Sequence, residues 1–283
     1  MKDKIAYFGP KGSFTYWALE DCFGVHAPNQ DRISAPTITQ VFDWVREGSV
    51  NFGFVPIENS IEGSVTETVD QCFLQDNITI QQEWIMPIRL ALLAKRGAGM
   101  NSLTEVWSHA QPLAQCRGYI QKNLPTVCTK DVGSTSLAAQ LVSQSEAAVS
   151  VASIGHPYLA KMYGLDILAD YIEDSPSNMT RFIVLGKNAT RPTGKDKVSM
   201  IVWAKDRAGS LMDILGEFAK RQINLTSISS RPAKTRLGEY VFWIECEGHG
   251  QDLRIKEALD GIKRVSDKLK VLGSYPRFER KLA

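Results

Sequence analysis

The 283-residue chain lacks long apolar runs and Cys-x-x-Cys pairs. No window approaches the roughly 18 uninterrupted apolar residues typical of a membrane-spanning helix, so a membrane span is excluded. Met1–Lys4 lead directly into a short apolar run, which argues against a secretory signal. An odd, dispersed set of cysteines indicates reduced thiols packed as small apolar side chains, and we expect a cytoplasmic protein. The cysteines are Cys22, Cys72, Cys116, Cys128 and Cys246.

The chain also lacks an excess of charge of one sign. Its 33 basic and 31 acidic residues leave a formal charge of +2, which gives no reason to expect nucleic acid or a membrane surface as a partner. No Ser/His/Asp relation and no helical histidine pair for a metal is present, and His109 is expected to be a structural hydrogen bonder. A chain of this length, 43% apolar and 23% charged, indicates a globular protein with more than one domain.

A strand, a polar loop and a helix recur along the first two thirds of the chain. Ile5–Phe8 predict a strand, and Ser13 an N-cap for the helix that follows. Thr37 and Gln40 form a capping box before a second helix. Five or more strands alternate with helices before Gly186, so we predict an α/β fold with mostly parallel sheets.

Secondary structure between these units is predicted from the same periodicities. A single helix face is expected through Leu113 and Ile120, a strand over Ala147–Ala152 and a helix over Ile154–Tyr163. Two extended runs divide at Pro87, and Gln81–Glu83 are expected to be solvated.

Polar side chains gather where the predicted strands end, the edge at which open α/β sheets bind ligands. Glu58 and Asn59 follow one strand, and Ser108 follows another, with Gln115 one turn into the next helix. Ser134 follows a third strand and is expected to cap a helix. Glu58 is equally well explained as a base or as a helix cap.

The segment 173–186 passes from a polar run into the predicted buried strand Phe182–Leu185. Thr180 and Arg181 stand at its entrance. A hydroxyl can donate to a departing oxygen, and a guanidinium can donate two hydrogen bonds to a carboxylate. Taken alone, the segment is better explained as a surface loop that leads into a core strand. Glu173 and Asp174 are interpreted as solvated loop residues.

A polar, turn-rich stretch at 187–197 predicts a boundary between a domain at 1–187 and a second at 197–283. The second has the order βαββαβ, with a hairpin expected around Arg236–Gly238. Domains of this kind often pair edge to edge, so we expect a homodimer or homotetramer.

Four stretches, together with the C-terminal order, resemble a known family. The stretches are Tyr7-Phe8-Gly9-Pro10-Lys11-Gly12-Ser13-Phe14, Val55-Pro56-Ile57-Glu58-Asn59-Ser60, Ser108-His109-Ala110-Gln111-Pro112-Leu113-Ala114-Gln115-Cys116 and Asn178-Met179-Thr180-Arg181-Phe182. They resemble prephenate dehydratase, and the C-terminal part resembles the amino-acid-sensing ACT domain.

The resemblance implies a two-lobed, periplasmic-binding-protein-like catalytic domain with prephenate in the cleft. It places the essential threonine at Thr180 and further active-site side chains at Asn59, Ser108 and Gln115. Arg181 is a candidate carboxylate clamp by its chemistry, and Glu58 and Ser134 are kept as candidate substrate-binding residues. The implied reaction forms phenylpyruvate, CO2 and water for phenylalanine synthesis and needs no cofactor and no metal.

For the ACT domain the resemblance implies inhibition by L-phenylalanine bound between paired domains. The first motif has Ser210 and Met212 where the family commonly has alanine and valine, and the second has Ser229 where glutamate is usual. This loss of a carboxylate bears on effector affinity and identity. The candidate effector positions are Gly209, Ser210, Leu211, Met212, Asn224, Ser229, Ser230, Arg231 and Pro232.

Two alternatives remain open. Arogenate dehydratase differs only by an amino group on the substrate. A non-catalytic two-lobed protein that binds amino acids or aromatic acids would keep the fold without the chemistry.

Overall fold

The computed structural model describes residues 3–24, 30–145, 150–232 and 240–279. The strands are β1 Asp3–Phe8, β2 Gln30–Ala35, β3 Phe52–Asn59, β4 Gly63–Ser64, β5 Thr79–Pro87, β6 Ala91–Ala94, β7 Glu105–Ser108, β8 Cys128–Asp131, β9 Val151–Gly155, β10 Asp166–Ala169, β11 Met179–Gly186, β12 Asp196–Ala204, β13 Leu225–Pro232, β14 Tyr240–Glu247 and β15 Ser266–Pro276. The α-helices are α1 Phe14–Phe23, α2 Ile38–Glu47, α3 Thr66–Leu74, α4 Ala110–Gln115, α5 Arg117–Asn123, α6 Thr135–Gln144, α7 Tyr158–Tyr163, α8 Ser210–Ala219 and α9 Leu253–Val265.

These strands form three sheets. The first has the order β2-β1-β3-β11-β5, with β4 paired to β3, and the second has the order β10-β6-β9-β7-β8. β1 pairs with β2 in parallel, and β7 pairs in parallel with both β8 and β9. β6 and β10 join the second sheet as antiparallel strands. The predicted α/β class is confirmed.

The third sheet, in the order β13-β14-β12-β15, is antiparallel throughout. With α8 and α9 it confirms the predicted βαββαβ order. Alternate residues of β12, Val198, Met200 and Val202, pack on the apolar faces of the two helices. The hairpin predicted around 236–238 lies outside the described residues.

Contacts within the chain divide it into two compact units. One comprises Met1–Val41, Phe54–Thr66 and Ile85–Phe182, and the other Phe42–Gly53, Glu67–Trp84 and Ile183–Ala283. The domain bounds 1–187 and 197–283 stay a prediction.

The predicted helix starts are confirmed by side-chain hydrogen bonds. Ser13 Oγ accepts from Tyr16 N, Thr37 Oγ1 from Gln40 N, and Ser134 Oγ from Leu137 N. Each oxygen satisfies an N–H group that has no partner within its own helix.

Two predicted helices differ from the structure. The helix expected through Leu113 and Ile120 is broken at Cys116, whose φ of −114° separates α4 from α5. The strand expected at 147–152 is found at Val151–Gly155, and Ala147 lies outside the described residues. Ile154 therefore belongs to this strand, where it pairs with Leu92 and is fully buried, and α7 begins only at Tyr158.

The prediction that Gln81–Glu83 are solvated is wrong for Glu83, which is 2% exposed. Its carboxylate accepts from Lys197 Nζ at 2.8 Å and from Phe278 N at 3.0 Å. Lys197 also lies 3.4 Å from the buried carboxylate of Glu245. A charge can be buried here because opposite charges and N–H donors compensate for lost hydration.

All five cysteines are free thiols. Cys72, Cys116 and Cys246 are buried as expected, but Cys128 is exposed because all four residues of β8 face solvent. In the described part of the chain, no helix is long and apolar enough to cross a membrane.

Candidate active site

Asn59 and Thr180 meet where β3 ends and β11 begins. Thr180 lies inside the strand rather than before it, because β11 starts at Met179. Ser60 N donates to Met179 O, and Met179 N donates to Ser60 Oγ, each at 2.9 Å. Phe182, on the same face of β11 as Thr180, stacks on Phe54 of β3 with ring centroids 5.3 Å apart. These contacts bring two residues that are 121 positions apart together in a buried site.

The Asn59 side chain has a fixed orientation. Its Oδ1 accepts from the backbone N–H groups of Ile61 and Glu62, both at 3.0 Å. The amide nitrogen must therefore point the other way, and Nδ2 donates to Thr180 Oγ1 at 2.9 Å. Since Thr180 Oγ1 is the acceptor in this bond, its own hydrogen is available to another acceptor.

Asn178 completes this polar cluster, and sequence reasoning did not select it. Asn59 Nδ2 also approaches Asn178 Oδ1 at 2.8 Å and Met179 O at 3.1 Å. Asn178 is 1% exposed. It stands two residues before Thr180 within a motif already noted, which was the signal available in the sequence.

Arg181 and Glu58 form an ion pair. Nε and Nη2 of Arg181 both donate to Oε2 of Glu58, at 3.1 and 2.9 Å. The Arg181 side chain is 11% exposed and that of Glu58 is 46% exposed. Glu58 pairs with Ser64 across the β3–β4 hairpin, and α3 begins only at Thr66. The contacts of Glu58 thus point to a partner of Arg181 rather than to a helix cap.

Ser108, Gln115 and Ser134 lie on other elements of the same unit. Ser108 is fully buried at the end of β7, and its Oγ donates to Ile154 O at 2.6 Å. Ser134 Oγ accepts the helix-capping hydrogen bond of α6. Gln115 Nε2 is buried and has no acceptor among the residues that the structure describes. Over these residues, no hydrogen bond joins any of the three to Thr180.

The interpretation of Glu173 as a solvated loop residue is wrong, whereas Asp174 is exposed as expected. Glu173 is 8% exposed and accepts from Arg89 Nη1 at 3.0 Å and from Leu90 N at 2.9 Å. Asp174 accepts from the N–H groups of Gly118 and Tyr119 in the first turn of α5. The loop packs back on the chain because these carboxylates satisfy N–H groups that would otherwise lack acceptors.

Asp174 also positions Gln115. Its backbone N–H donates to Gln115 O at 2.8 Å, at the last residue of α4. The Asp174 carboxylate and backbone together therefore hold the point where α4 gives way to α5.

A hollow of about 860 Å³ lies elsewhere in this unit. Trp17, His156 and Tyr158 line it, with Arg89 and Tyr171. None of the predicted catalytic-domain site residues is among its lining residues. We place the candidate site at Thr180 because the buried polar side chains of Asn59 and Asn178 meet its hydroxyl there, whereas the walls of the hollow are mainly apolar.

The candidate effector residues fall into two groups. Gly209 to Met212 line a hollow of about 410 Å³ together with Trp203 and Tyr240. Gly209 has a φ of +83°, which favours glycine, and is the N-cap residue of α8. Met212 is 75% exposed. The second group does not line this hollow. It lies at or just before β13, the strand at one edge of the third sheet. Its members are Asn224, Ser229, Ser230, Arg231 and Pro232.

Across the described ranges, no group of three or more His, Cys, Asp or Glu side chains could hold a metal ion.

Comparison with known proteins identifies the family. The sequence pattern of the family described as prephenate dehydratase matches residues 5–190. This chain belongs to the prephenate dehydratase family. The pattern of the ACT domain matches residues 198–264. Both confirm the resemblance seen in the sequence motifs.

Individual relatives agree with this assignment. The bifunctional chorismate mutase/prephenate dehydratase of Aquifex aeolicus is 42% identical over 98% of this chain and 74% of its own length. The prephenate dehydratase of Lactococcus lactis subsp. lactis is 36% identical over 96% of this chain and 97% of its own. The solved structure of prephenate dehydratase from Arthrobacter aurescens, in complex with L-Phe, has a TM-score of 0.88 at 34% identity, covering 99% of this chain and 92% of that one.

Proposed function

We propose that this chain converts prephenate to phenylpyruvate, CO2 and water, with Thr180 as the hydrogen-bond donor to the departing C4 hydroxyl. One observation carries the role of Thr180. Asn59 donates to Thr180 Oγ1, so the hydroxyl hydrogen remains for an oxygen of the substrate. Membership of the prephenate dehydratase family supports the choice of reaction.

The reaction needs little beyond positioned donors. The bond between the ring and its carboxylate breaks, and the electron pair moves into the ring as the C4–O bond breaks. The carboxylate leaves as CO2, and the departing hydroxide takes up one proton to become water. Formation of the aromatic ring drives the step. Threonine is a poor acid, so Thr180 acts as a donor held in place and not as a full proton source.

The remaining candidate residues bind the substrate. Arg181 is the proposed clamp for a substrate carboxylate, which would replace the half-exposed carboxylate of Glu58 on the guanidinium. The buried Nε2 of Gln115 is a second donor without an acceptor. Ser108 Oγ donates to Ile154 O, so it would meet the substrate as an acceptor. Ser134 has a weaker case because its oxygen caps α6.

The decisive experiment compares Thr180→Ala and Thr180→Ser with the wild type, given prephenate and arogenate side by side. For Thr180→Ala we expect kcat to fall roughly 100- to 1000-fold, as for other lost transition-state donors. Thr180→Ser should keep part of the activity because it keeps a hydroxyl. Thr129→Ala, on the exposed strand β8, is the matched control.

Three results would contradict this proposal. If the folded Thr180→Ala variant kept near-normal turnover, Thr180 would not be the required donor to the departing hydroxyl. If the wild type turned over arogenate but not prephenate, the chain would be an arogenate dehydratase instead. Binding of prephenate without turnover of either compound would favour the non-catalytic binding protein.

We further propose that L-phenylalanine is the effector of the ACT domain. The hollow beside Gly209–Met212 is large enough to hold an amino acid. The structure of the Arthrobacter aurescens relative was solved in complex with L-Phe. Binding between two copies of the domain would bring β13 of one copy to this hollow of the other, which requires at least a homodimer. Repeating the prephenate assay with added L-phenylalanine tests this proposal: inhibition is expected, and its absence would contradict it.

A further inference from the structure

We propose that Asn178 is a further substrate-binding residue, whose Nδ2 donates a hydrogen bond to an oxygen of the bound substrate beside Thr180. This inference rests on the proposed function, which supplies the oxygen-rich diacid substrate.

The orientation of the Asn178 amide follows from that of Asn59. Two backbone N–H groups hold Asn59 Oδ1, so Asn59 presents its NH2 group to Asn178. The atom of Asn178 that faces this group at 2.8 Å must be an acceptor, because two amide NH2 groups would repel each other. Asn178 Oδ1 therefore faces Asn59, and its Nδ2 points away from it.

This orientation leaves a buried donor without an acceptor. Asn178 is 1% exposed, and its Nδ2 has no hydrogen-bond acceptor among the residues that the structure describes. A buried N–H group without a partner is costly, and such groups are rare in folded proteins. Both oxygens of Asn178 have hydrogen-bond donors. Oδ1 accepts from Asn59 Nδ2, and the backbone carbonyl accepts from Ile88 N, each at 2.8 Å.

The neighbourhood of this donor is the candidate active site. Asn178 shares the Asn59 NH2 group with Thr180, so the same amide holds both residues. With the Thr180 hydroxyl hydrogen, the site then offers two neighbouring donors to an oxygen-rich substrate. An amide donor suits a carboxylate or hydroxyl oxygen.

The test separates donation to the substrate from support of Asn59. Asn178→Asp keeps the oxygen that accepts from Asn59 and removes the N–H donors, whereas Asn178→Ala removes both without adding charge. Each change is made in the wild type and in Thr180→Ala, in which prephenate binding can be measured without rapid turnover and without any contribution from the Thr180 hydroxyl. Asn101→Asp, at an exposed position, controls for the added charge. Thermal unfolding reports whether each variant is folded.

We expect both Asn178 variants to weaken prephenate binding in the Thr180→Ala background by roughly 10-fold or more, as for loss of a hydrogen bond to a charged group. In the wild-type background KM should rise at least as strongly. Binding within two-fold of the parent for the folded variants would overturn the inference. So would a loss confined to Asn178→Ala, because Asn178 would then only support Asn59. If the wild type fails to turn prephenate over, the proposed function is wrong and this inference is wrong with it.

Discussion

At the scale of single residues, the direction of one hydroxyl hydrogen depends on one amide. Asn59 is a donor towards Thr180 only because Ile61 and Glu62 occupy its oxygen. An aspartate at position 59 would have the same shape but no N–H groups, so the Thr180 hydroxyl would then donate to it.

Asn59→Asp tests this dependence. The new carboxylate still accepts from the two backbone N–H groups but now also accepts from the Thr180 hydroxyl, which turns its hydrogen away from the substrate. We expect kcat to fall by roughly 100-fold or more, the usual scale for a lost transition-state donor. Phenylpyruvate formation measures kcat, and Asn101→Asp is the control. A folded Asn59→Asp variant with normal kcat would show that the orientation of Thr180 does not matter.

A second residue-scale prediction concerns His156. Its ring stacks on Trp17 and contacts Phe14, and its Nδ1 accepts from Tyr158 N at 3.3 Å. Burial lowers the pKa of His156 to about 4. In the unfolded chain the pKa is about 6.5, so between these values the unfolded state binds the proton more readily. Stability contributed by the neutral ring is therefore present above pH 6.5 and lost as the pH falls towards 4.

Urea unfolding of the wild type and His156→Gln at several pH values measures this effect. Between pH 7 and pH 4.5 the wild type should lose on the order of 2 kcal/mol more than the variant, which has no titrating ring. Equal losses in the two proteins would contradict the prediction.

At the scale of secondary structure elements, the loop before β11 holds the end of α4 and the start of α5. Asp174 accepts from two first-turn N–H groups of α5 and donates its own N–H to Gln115 O. The loop thus links the helix cap to the placement of a candidate substrate-binding residue.

We expect Asp174→Ala to lower the free energy of unfolding by about 1–2 kcal/mol, the usual cost of a lost helix cap. KM for prephenate should also rise, because Gln115 is held less firmly. Urea unfolding and steady-state kinetics measure the two effects. Asp260→Ala, which removes an exposed i,i+3 ion pair on α9, should change neither. A stability loss with an unchanged KM would show that the cap does not position Gln115.

At the scale of the whole molecule, the resemblance to the ACT domain implies that Ser229 stands where glutamate is usual. Ser229 is half-buried on β13, the strand at one edge of the third sheet. A serine hydroxyl binds an ammonium group more weakly than a carboxylate does.

Ser229→Glu should therefore strengthen inhibition by L-phenylalanine. Gaining one charge-assisted hydrogen bond would lower the half-inhibitory concentration by roughly 10-fold. Thr226→Glu, at an exposed position on the same strand, is the matched control and should have little effect. Inhibition unchanged by Ser229→Glu would place the effector away from this strand.

The sequence alone was sufficient where the determinants are local. The helix caps at Ser13, Thr37 and Ser134 act within three or four residues, so their motifs predict them directly. The βαββαβ order of the C-terminal domain also follows from periodicity and turns. Ordered motifs were enough to identify the family.

Only the tertiary structure decided which polar groups are partners. The bond between Asn59 and Thr180 joins residues 121 positions apart. The burial of Glu83 beside Lys197, and the fixing of Asp174 on α5, likewise depend on distant residues. A polar side chain carries no local sign of whether water or a distant partner will satisfy it. The sequence by itself therefore determined the elements and the family, whereas the direction of the Thr180 hydroxyl hydrogen and the unpartnered donor of Asn178 depend on how the chain folds back on itself.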